Sequence, residues 1–133
     1  MTIAVTRDVI ALLRQEAESA APDECCGLLL GAAGRIDRAI PAANVAADPH
    51  RRFEIDPRAL IDAHRAARTG QGAQVVGYYH SHPAGAPEPS PCDRAEAAGD
   101  GAIWAIVGRD GEVRLWRDDS QGFRALSHVL VER

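Results

Sequence analysis

The chain has 133 residues, 46% hydrophobic and 26% charged, a composition that predicts one compact domain spanning residues 1–133. Its fifteen basic residues are all arginine, which excludes mechanisms that need a lysine amine, such as Schiff-base catalysis or phosphate binding by a P-loop. The net charge of −4 and the interspersed acidic and basic residues argue against a nucleic-acid partner.

The cysteines and the N-terminal residues indicate the cellular compartment in which the protein is expected. Cys25, Cys26 and Cys92 match neither a CxxC pair nor a disulfide framework, and they suit a reducing environment. The first ten residues include Arg7 and Asp8 and lack the apolar segment of a signal peptide. No later run of the sequence is long and apolar enough to cross a bilayer. We therefore expect a soluble cytoplasmic protein without a membrane partner.

The first half of the chain predicts a helix, a hairpin and a loop. Thr6 can cap a helix over about 7–20, where apolar residues recur at helical spacing. The apolar run over 25–30 predicts a strand buried on both faces, and the alternating residues 35–40 predict its hairpin partner. Residues 41–52 contain turn residues without periodicity, which indicates a surface loop.

The second half predicts two further helices and most of the strands. Asp56 as N-cap and Pro57 at the first helical position predict a helix that ends near Gly70. Other signals predict a short helix from Ser90 to about Ala98 and strands over 53–55, 75–80, 103–107, 113–116 and 123–131. The sum is an α+β, α/β/α-like fold, a twisted mixed β-sheet of about six or seven strands flanked by helices.

Two histidines follow the strand predicted over 75–80. His80 and His82 are spaced i and i+2, so both imidazoles leave the same face and can converge on one zinc ion, with Zn–N near ~2.0–2.1 Å. Packing against Tyr78 and capping of the next loop would also explain the pair. That loop, PAGAPEPS, is constrained because half of its residues are proline or glycine.

The constrained loop could return Asp93 to the histidines as a third ligand. Three protein ligands and one open position are typical of catalytic zinc, whereas structural zinc fills all four positions with protein. Ser90 and Asp93 are also explained as an ordinary capping box at a helix start. Cys92, the second residue of that helix, is interpreted as a residue that packs against the site or supports its ligands without binding the metal.

Hydrolysis at such a zinc needs a base. Glu24 precedes the buried strand over 25–30, where apolar neighbours would desolvate its carboxylate and raise its pKa towards the useful range. Capping of the sheet edge or pairing with an arginine would equally explain a carboxylate at this position.

These residues together resemble a known family. His80-Ser81-His82-Pro83, followed by Ser90 and Asp93, resembles the His-x-His-Pro…Ser-x-x-Asp signature of the JAMM (MPN-domain) metallopeptidases. Residues 23–29, DECCGLL, resemble that family's Glu-x-Cys-Gly segment, and residues 52–57 and 75–79 are typical of its short bacterial, Prok-JAB-type members. The resemblance implies an MPN/JAB domain with a cytidine-deaminase-like outline.

By resemblance, one Zn²⁺ per chain is held by His80, His82 and Asp93, with Glu24 as general base and Ser90 donating to the oxyanion. The resemblance implies a zinc-dependent metallopeptidase or isopeptidase that hydrolyses the amide bond after the C-terminal Gly-Gly of a small ubiquitin-like or sulfur-carrier protein. The chain is too short for the insertions with which ubiquitin-chain-specific members grip two ubiquitins, so we do not expect linkage specificity.

Further residues are candidates for substrate contact, and three other functions would use the same motifs. The loop over 41–52, with Arg51 and Arg52, and the segment around Glu88 are candidate contacts for the substrate tail, and a homodimer is compatible with the small size. A non-catalytic MPN-type scaffold for ubiquitin-like proteins is disfavoured because every ligand is present. A zinc deaminase is rejected because its glutamate position is His82 and its second cysteine position is Ala95. A DNA-repair-associated relative is disfavoured by the acidic balance.

Overall fold

The computed structural model describes residues 2–70 and 73–132. Within them the elements are, in chain order, β1 (Thr2–Thr6), α1 (Arg7–Ala20), β2 (Cys26–Ala32), β3 (Arg35–Ala42), α2 (Pro57–Arg68), β4 (Gln74–Ser81), α3 (Pro91–Glu96), β5 (Ile103–Val107), β6 (Val113–Asp119) and β7 (Gly122–Val131). The predicted helices over 7–20 and from Pro57 are confirmed, as are the strands predicted around 25–30, 35–40, 75–80, 103–107, 113–116 and 123–131.

Helix α1 supplies one side of the main core. The Thr6 hydroxyl caps it by accepting the Val9 N–H at 3.3 Å. Its buried residues Val9, Ile10 and Leu13 pack in one cluster with side chains of the sheet, including Tyr79 of β4. The remaining members of the cluster are Ile3, Val5, Cys25, Leu29, Ile36, Ile103, Ala105, Val107, Val113 and Leu115. Helix α2 packs against β4.

The sheet closes on itself, which corrects one part of the predicted fold class. Its strand order is β1-β3-β2-β4-β5-β6-β7, and β1 pairs in parallel with both β3 and β7. The α+β class and the mixed sheet are confirmed, but the sheet is a closed barrel and not an open layer flanked by helices. The prediction missed β1 because its five residues offer only Ile3 and Val5 as an alternating buried pair.

The strand predicted over 53–55 is wrong. Between residues 43 and 56 the structure has one isolated antiparallel bridge, Asn44 to Ile55, and no ladder. Two backbone hydrogen bonds join these segments, from Val45 N–H to the Glu54 carbonyl and from Asp56 N–H to the Ala43 carbonyl, and they form one bridge without extending into a ladder. The predicted loop over 41–52 is shorter at its start, because β3 continues to Ala42, and α3 ends at Glu96 instead of Ala98.

The antiparallel register of β2 and β4 brings the predicted site residues to one end of the sheet. Cys26 lies opposite His80, and Gly27 lies opposite Tyr79. Gly27 has to be glycine, since a Cβ there would overlap the Tyr79 ring and the Ile40 carbonyl oxygen. Glu24, two residues before β2, is thereby placed at the same end as the histidines of β4.

Candidate metal centre and active site

Three ligand-type atoms converge beyond the end of β4. His80 Nε2 lies 3.2 Å from His82 Nε2 and 3.0 Å from Asp93 Oδ2, and His82 Nε2 lies 3.1 Å from the same oxygen. Atoms bound at ~2.0–2.1 Å to a tetrahedral zinc ion are about 3.3–3.4 Å apart. The two imidazoles and the carboxylate therefore form one face of a ligand tetrahedron, with a contraction of a few tenths of an ångström. These residues fit a zinc ion.

The protonation states of His80 and Asp93 suit a metal ion, whereas a proton on His82 competes with one. Burial lowers the pKa of His80, and hydrogen bonds from the two histidines hold the pKa of Asp93 well below its usual range despite burial. Burial opposes a proton on His82 too, but bonds to Asp93 and to the Ala86 carbonyl outweigh it and raise the pKa of His82. Binding of a metal ion would therefore displace a proton from the His82–Asp93 pair.

Asp93 is held by the start of α3. The Ser90 hydroxyl accepts the Asp93 N–H at 3.0 Å, and Asp93 Oδ2 accepts the Ser90 N–H at 2.9 Å. The same Oδ2 is the atom that faces both histidines. The two interpretations of the Ser90–Asp93 pair therefore coexist, because the capping box orients the carboxylate that faces the imidazoles.

Glu24 lies beside this cluster as a buried carboxyl group. It is 5% exposed, and one of its carboxylate oxygens lies within 4.8 Å of ring nitrogens of His80 and His82. Its Oε1 is buried without a hydrogen-bond partner among residues 2–70 and 73–132. The pKa of Glu24 is raised to about 7, mainly because burial disfavours the charged carboxylate. A carboxyl group with this pKa can exchange a proton near neutral pH.

An open cleft leads to these residues. Its volume is about 410 Å³, and its wall includes Glu24, His82 and Ser90. The other lining residues are His50, Arg51, Pro83, Ala84, Gly85, Ala86, Glu88 and Pro89. Arg51 and Glu88, two of the predicted tail contacts, thus line the cleft, whereas Arg52 pairs with Glu96 at 2.8 Å. The Ser90 hydroxyl proton is free to donate, since its oxygen is the acceptor for Asp93 N–H.

Phe53 contacts the site, a role that the sequence did not predict. Its ring stacks on His80 with centroids 4.2 Å apart, and Trp104 packs edge-on against both rings at 5.8 and 5.6 Å. His80 Nδ1 is buried without a hydrogen-bond partner among the described residues. Aromatic packing therefore holds this imidazole in place of the hydrogen bond that usually orients a ligand histidine.

A family comparison agrees with this geometry. Residues 6–119 match the Prok-JAB family, described as prokaryotic homologs of the JAB domain. The chain belongs to the Prok-JAB family. As a Prok-JAB protein it is a hydrolase of the JAMM type, which confirms the prediction that the chain is an enzyme of this kind.

Similar proteins span nearly the whole Prok-JAB chain. It is 36% identical over 126 residues to "Desampylase" of Haloferax volcanii, covering 93% of this chain and 89% of that protein. It is 34% identical over 111 residues to "Probable TtuB-protein conjugate cleaving protease" of Thermus thermophilus, covering 84% of this chain and 73% of that protein. A protein of Desulfitobacterium hafniense with a solution structure is 25% identical, with a TM-score of 0.85 over 99% of this chain and 94% of that one.

The described part of the Prok-JAB chain has no helix long and apolar enough to cross a membrane.

Proposed function

We propose that this protein is a zinc-dependent peptidase or isopeptidase that hydrolyses the amide bond after the C-terminal Gly-Gly of a small ubiquitin-like or sulfur-carrier protein. The observation that carries the proposal is the convergence of His80 Nε2, His82 Nε2 and Asp93 Oδ2 within 3.2 Å of one another, beside the buried carboxyl group of Glu24. The names of the Haloferax and Thermus relatives support a conjugate of a small protein as the substrate.

The proposed mechanism divides the work among five side chains. His80, His82 and Asp93 would hold one Zn²⁺, which supplies a Lewis acid for the scissile carbonyl and acidifies the attacking water. Glu24 takes a proton from that water at a carboxylate oxygen and passes it to the departing amine, a role suited to a pKa of about 7. The Ser90 hydroxyl donates to the oxyanion that develops at the carbonyl.

The cleft suits a narrow, extended tail. Its lining includes Ala84, Gly85 and Ala86, whose side chains are small or absent, together with Arg51 from the loop between β3 and α2. Two successive glycines carry no Cβ, so a Gly-Gly tail can bring its last carbonyl close to the histidines where a bulkier tail would meet the walls. We propose that this close approach selects the Gly-Gly end.

The test is hydrolysis of a carrier protein extended beyond Gly-Gly by one amino acid, followed by intact-mass spectrometry. We expect release of the added residue by zinc-loaded wild type, with about one zinc per chain by elemental analysis. Glu24→Gln is expected to keep the zinc and lose turnover by about 10²-fold or more, while His82→Ala loses both. Binding of the carrier without release, by fully zinc-loaded protein, would refute hydrolysis and favour a scaffold.

A further inference from the structure

One side chain in the loop between β3 and α2 uses its whole hydrogen-bonding capacity. Asn44, the chain's only asparagine, donates from Nδ2 to the carbonyl oxygens of Glu24 at 2.9 Å and Arg52 at 3.1 Å. Its Oδ1 accepts the N–H groups of Ala46 at 3.1 Å and Glu54 at 3.0 Å. An amide side chain offers two donor hydrogens and two acceptor sites, so all four are occupied.

The first of these bonds fixes the backbone of the proposed base. Besides the Asn44 amide on its carbonyl, Glu24 donates its own N–H to the Pro49 carbonyl at 2.8 Å. Both backbone polar groups of Glu24 are thus held by the 44–49 loop. Its side-chain Oε1 has no hydrogen-bond partner among the described residues. The position of the carboxylate therefore depends on the backbone that carries it.

The other bonds fix the residue that packs on a proposed zinc ligand. Asn44 donates to the carbonyl of Arg52 and accepts the N–H of Glu54. These two residues are the neighbours of Phe53 in the chain. The Phe53 ring stacks on His80 at 4.2 Å. One amide group therefore links the backbone of Glu24 to the backbone on both sides of Phe53.

We propose that Asn44 is a positioning residue, which sets the distance between the Glu24 carboxylate and the His80–His82 pair by fixing the backbones of Glu24 and Phe53 together. The proposal rests on the proposed role of Glu24 as base. Asn44 contacts no reacting atom itself, so it acts only through the groups it holds. A displacement of about 1 Å at such a group can cost about 10²-fold in rate.

The substitution Asn44→Asp removes the two donor bonds of this side chain and keeps its two acceptor bonds. An ionised aspartate keeps both acceptor bonds, to Ala46 and Glu54, but it has no hydrogen for the carbonyl oxygens of Glu24 and Arg52. We expect the kcat for the Gly-Gly-extended carrier to fall about 10–100-fold. We expect KM to stay within about twofold and the zinc dissociation constant within about threefold, because the Glu54 bond and the stack on His80 still hold Phe53.

Val45→Asp is the matched control for the added charge. Val45 is the next residue and is 46% exposed, and its N–H donates to the Glu54 carbonyl. This variant introduces the same negative charge without changing any bond of Asn44. We expect its kcat, KM and zinc affinity to stay within about twofold of wild type.

A measurement on the wild-type protein covers the case in which Asn44→Asp fails to fold. Because the chain has one asparagine, selective ¹⁵N-asparagine labelling gives a single side-chain NH₂ pair in an NMR spectrum. We expect those hydrogens to exchange with solvent at least about tenfold more slowly than in free asparagine, since both are donated. Exchange as fast as in free asparagine would overturn the proposal.

The outcomes separate this proposal from the proposed function. If Asn44→Asp keeps the wild-type kcat while Glu24→Gln is inactive, the positioning role is wrong and the hydrolase mechanism stands. If Asn44→Asp loses zinc affinity together with kcat, Asn44 serves only to fold the site and the proposal is overturned. If Glu24→Gln retains the rate, the base assignment fails, and the positioning role fails with it.

Discussion

Replacing Glu24 with glutamine should make the zinc-free protein more stable at alkaline pH. The buried carboxyl group has its pKa raised from an ordinary 4.5 to about 7, chiefly by desolvation. Because the folded state holds this proton more tightly than the unfolded state, the group stabilises the fold at low pH. That contribution is lost as the pH rises from about 4.5 through about 7.

The magnitude follows from the difference between the two pKa values. Each pKa unit corresponds to about 1.4 kcal/mol, so ionising Glu24 in the folded state costs at most about 3 kcal/mol by pH 8. Neutral glutamine has the same shape and carries no such cost. We expect Glu24→Gln to differ little from wild type at pH 5 and to be more stable by about 1–3 kcal/mol at pH 8.

Urea unfolding of both proteins at pH 5 and pH 8, with a chelator present, measures this difference. The other titrating groups are common to the two proteins and largely cancel in the comparison. Glu18→Gln, at an exposed position of α1, is the control and should change the free energy of unfolding by less than about 0.5 kcal/mol at either pH. A gap between wild type and Glu24→Gln that is equal at both pH values would refute the desolvation of this carboxyl group.

Three further outcomes are expected. A chelator should abolish hydrolysis of the Gly-Gly-extended carrier and lower the melting temperature, because a bound ion stabilises the folded state by mass action. Added zinc should restore both the activity and the melting temperature. A chelator without effect on either would exclude a role for a metal. Phe53→Leu removes the ring stacked on His80 and should weaken zinc binding about 10-fold in a competition titration, whereas unchanged affinity would show that the stack is dispensable. Gly27→Ala places a Cβ against the Tyr79 ring and the Ile40 carbonyl, and calorimetry should show a destabilisation of about 3 kcal/mol or more; a loss below about 1 kcal/mol would contradict this packing.

Local patterns in the sequence predicted most of the helices and strands, because the residues that cap a helix or alternate along a strand lie within the same segment of the chain. The 7–20 helix has both its cap at Thr6 and its apolar spacing within one segment, and its observed bounds agree. The strand β1 was missed because its stability comes from pairing with β3 and β7, which begin 29 and more residues later in the chain. Closure of the sheet is a consequence of that distant pairing, so no local pattern could predict it.

The site likewise contains residues that a local pattern indicated and residues that only distant contacts bring to it. The spacing of His80, His82 and Asp93 indicated that they could converge, since one strand end and one stiff loop connect them, and the structure brings them into contact. The contacts of Phe53 and Asn44 join segments that are distant in the sequence. They depend on how the loop after β3 folds over the end of the sheet, and the absence of periodicity in that loop left no signal for them.

The double use of Asp93 Oδ2 couples a local folding event to ligand binding. Helix α3 is six residues long, too short to be stable on its own, and its first turn depends on the oxygen that faces the two histidines. A cation bound to that oxygen would share it with the Ser90 N–H. Unfolding of the first turn of α3 and release of the cation would therefore be coupled, so that each would favour the other. Substitutions throughout this one helical turn would then alter the cation's residence time without touching a ligand.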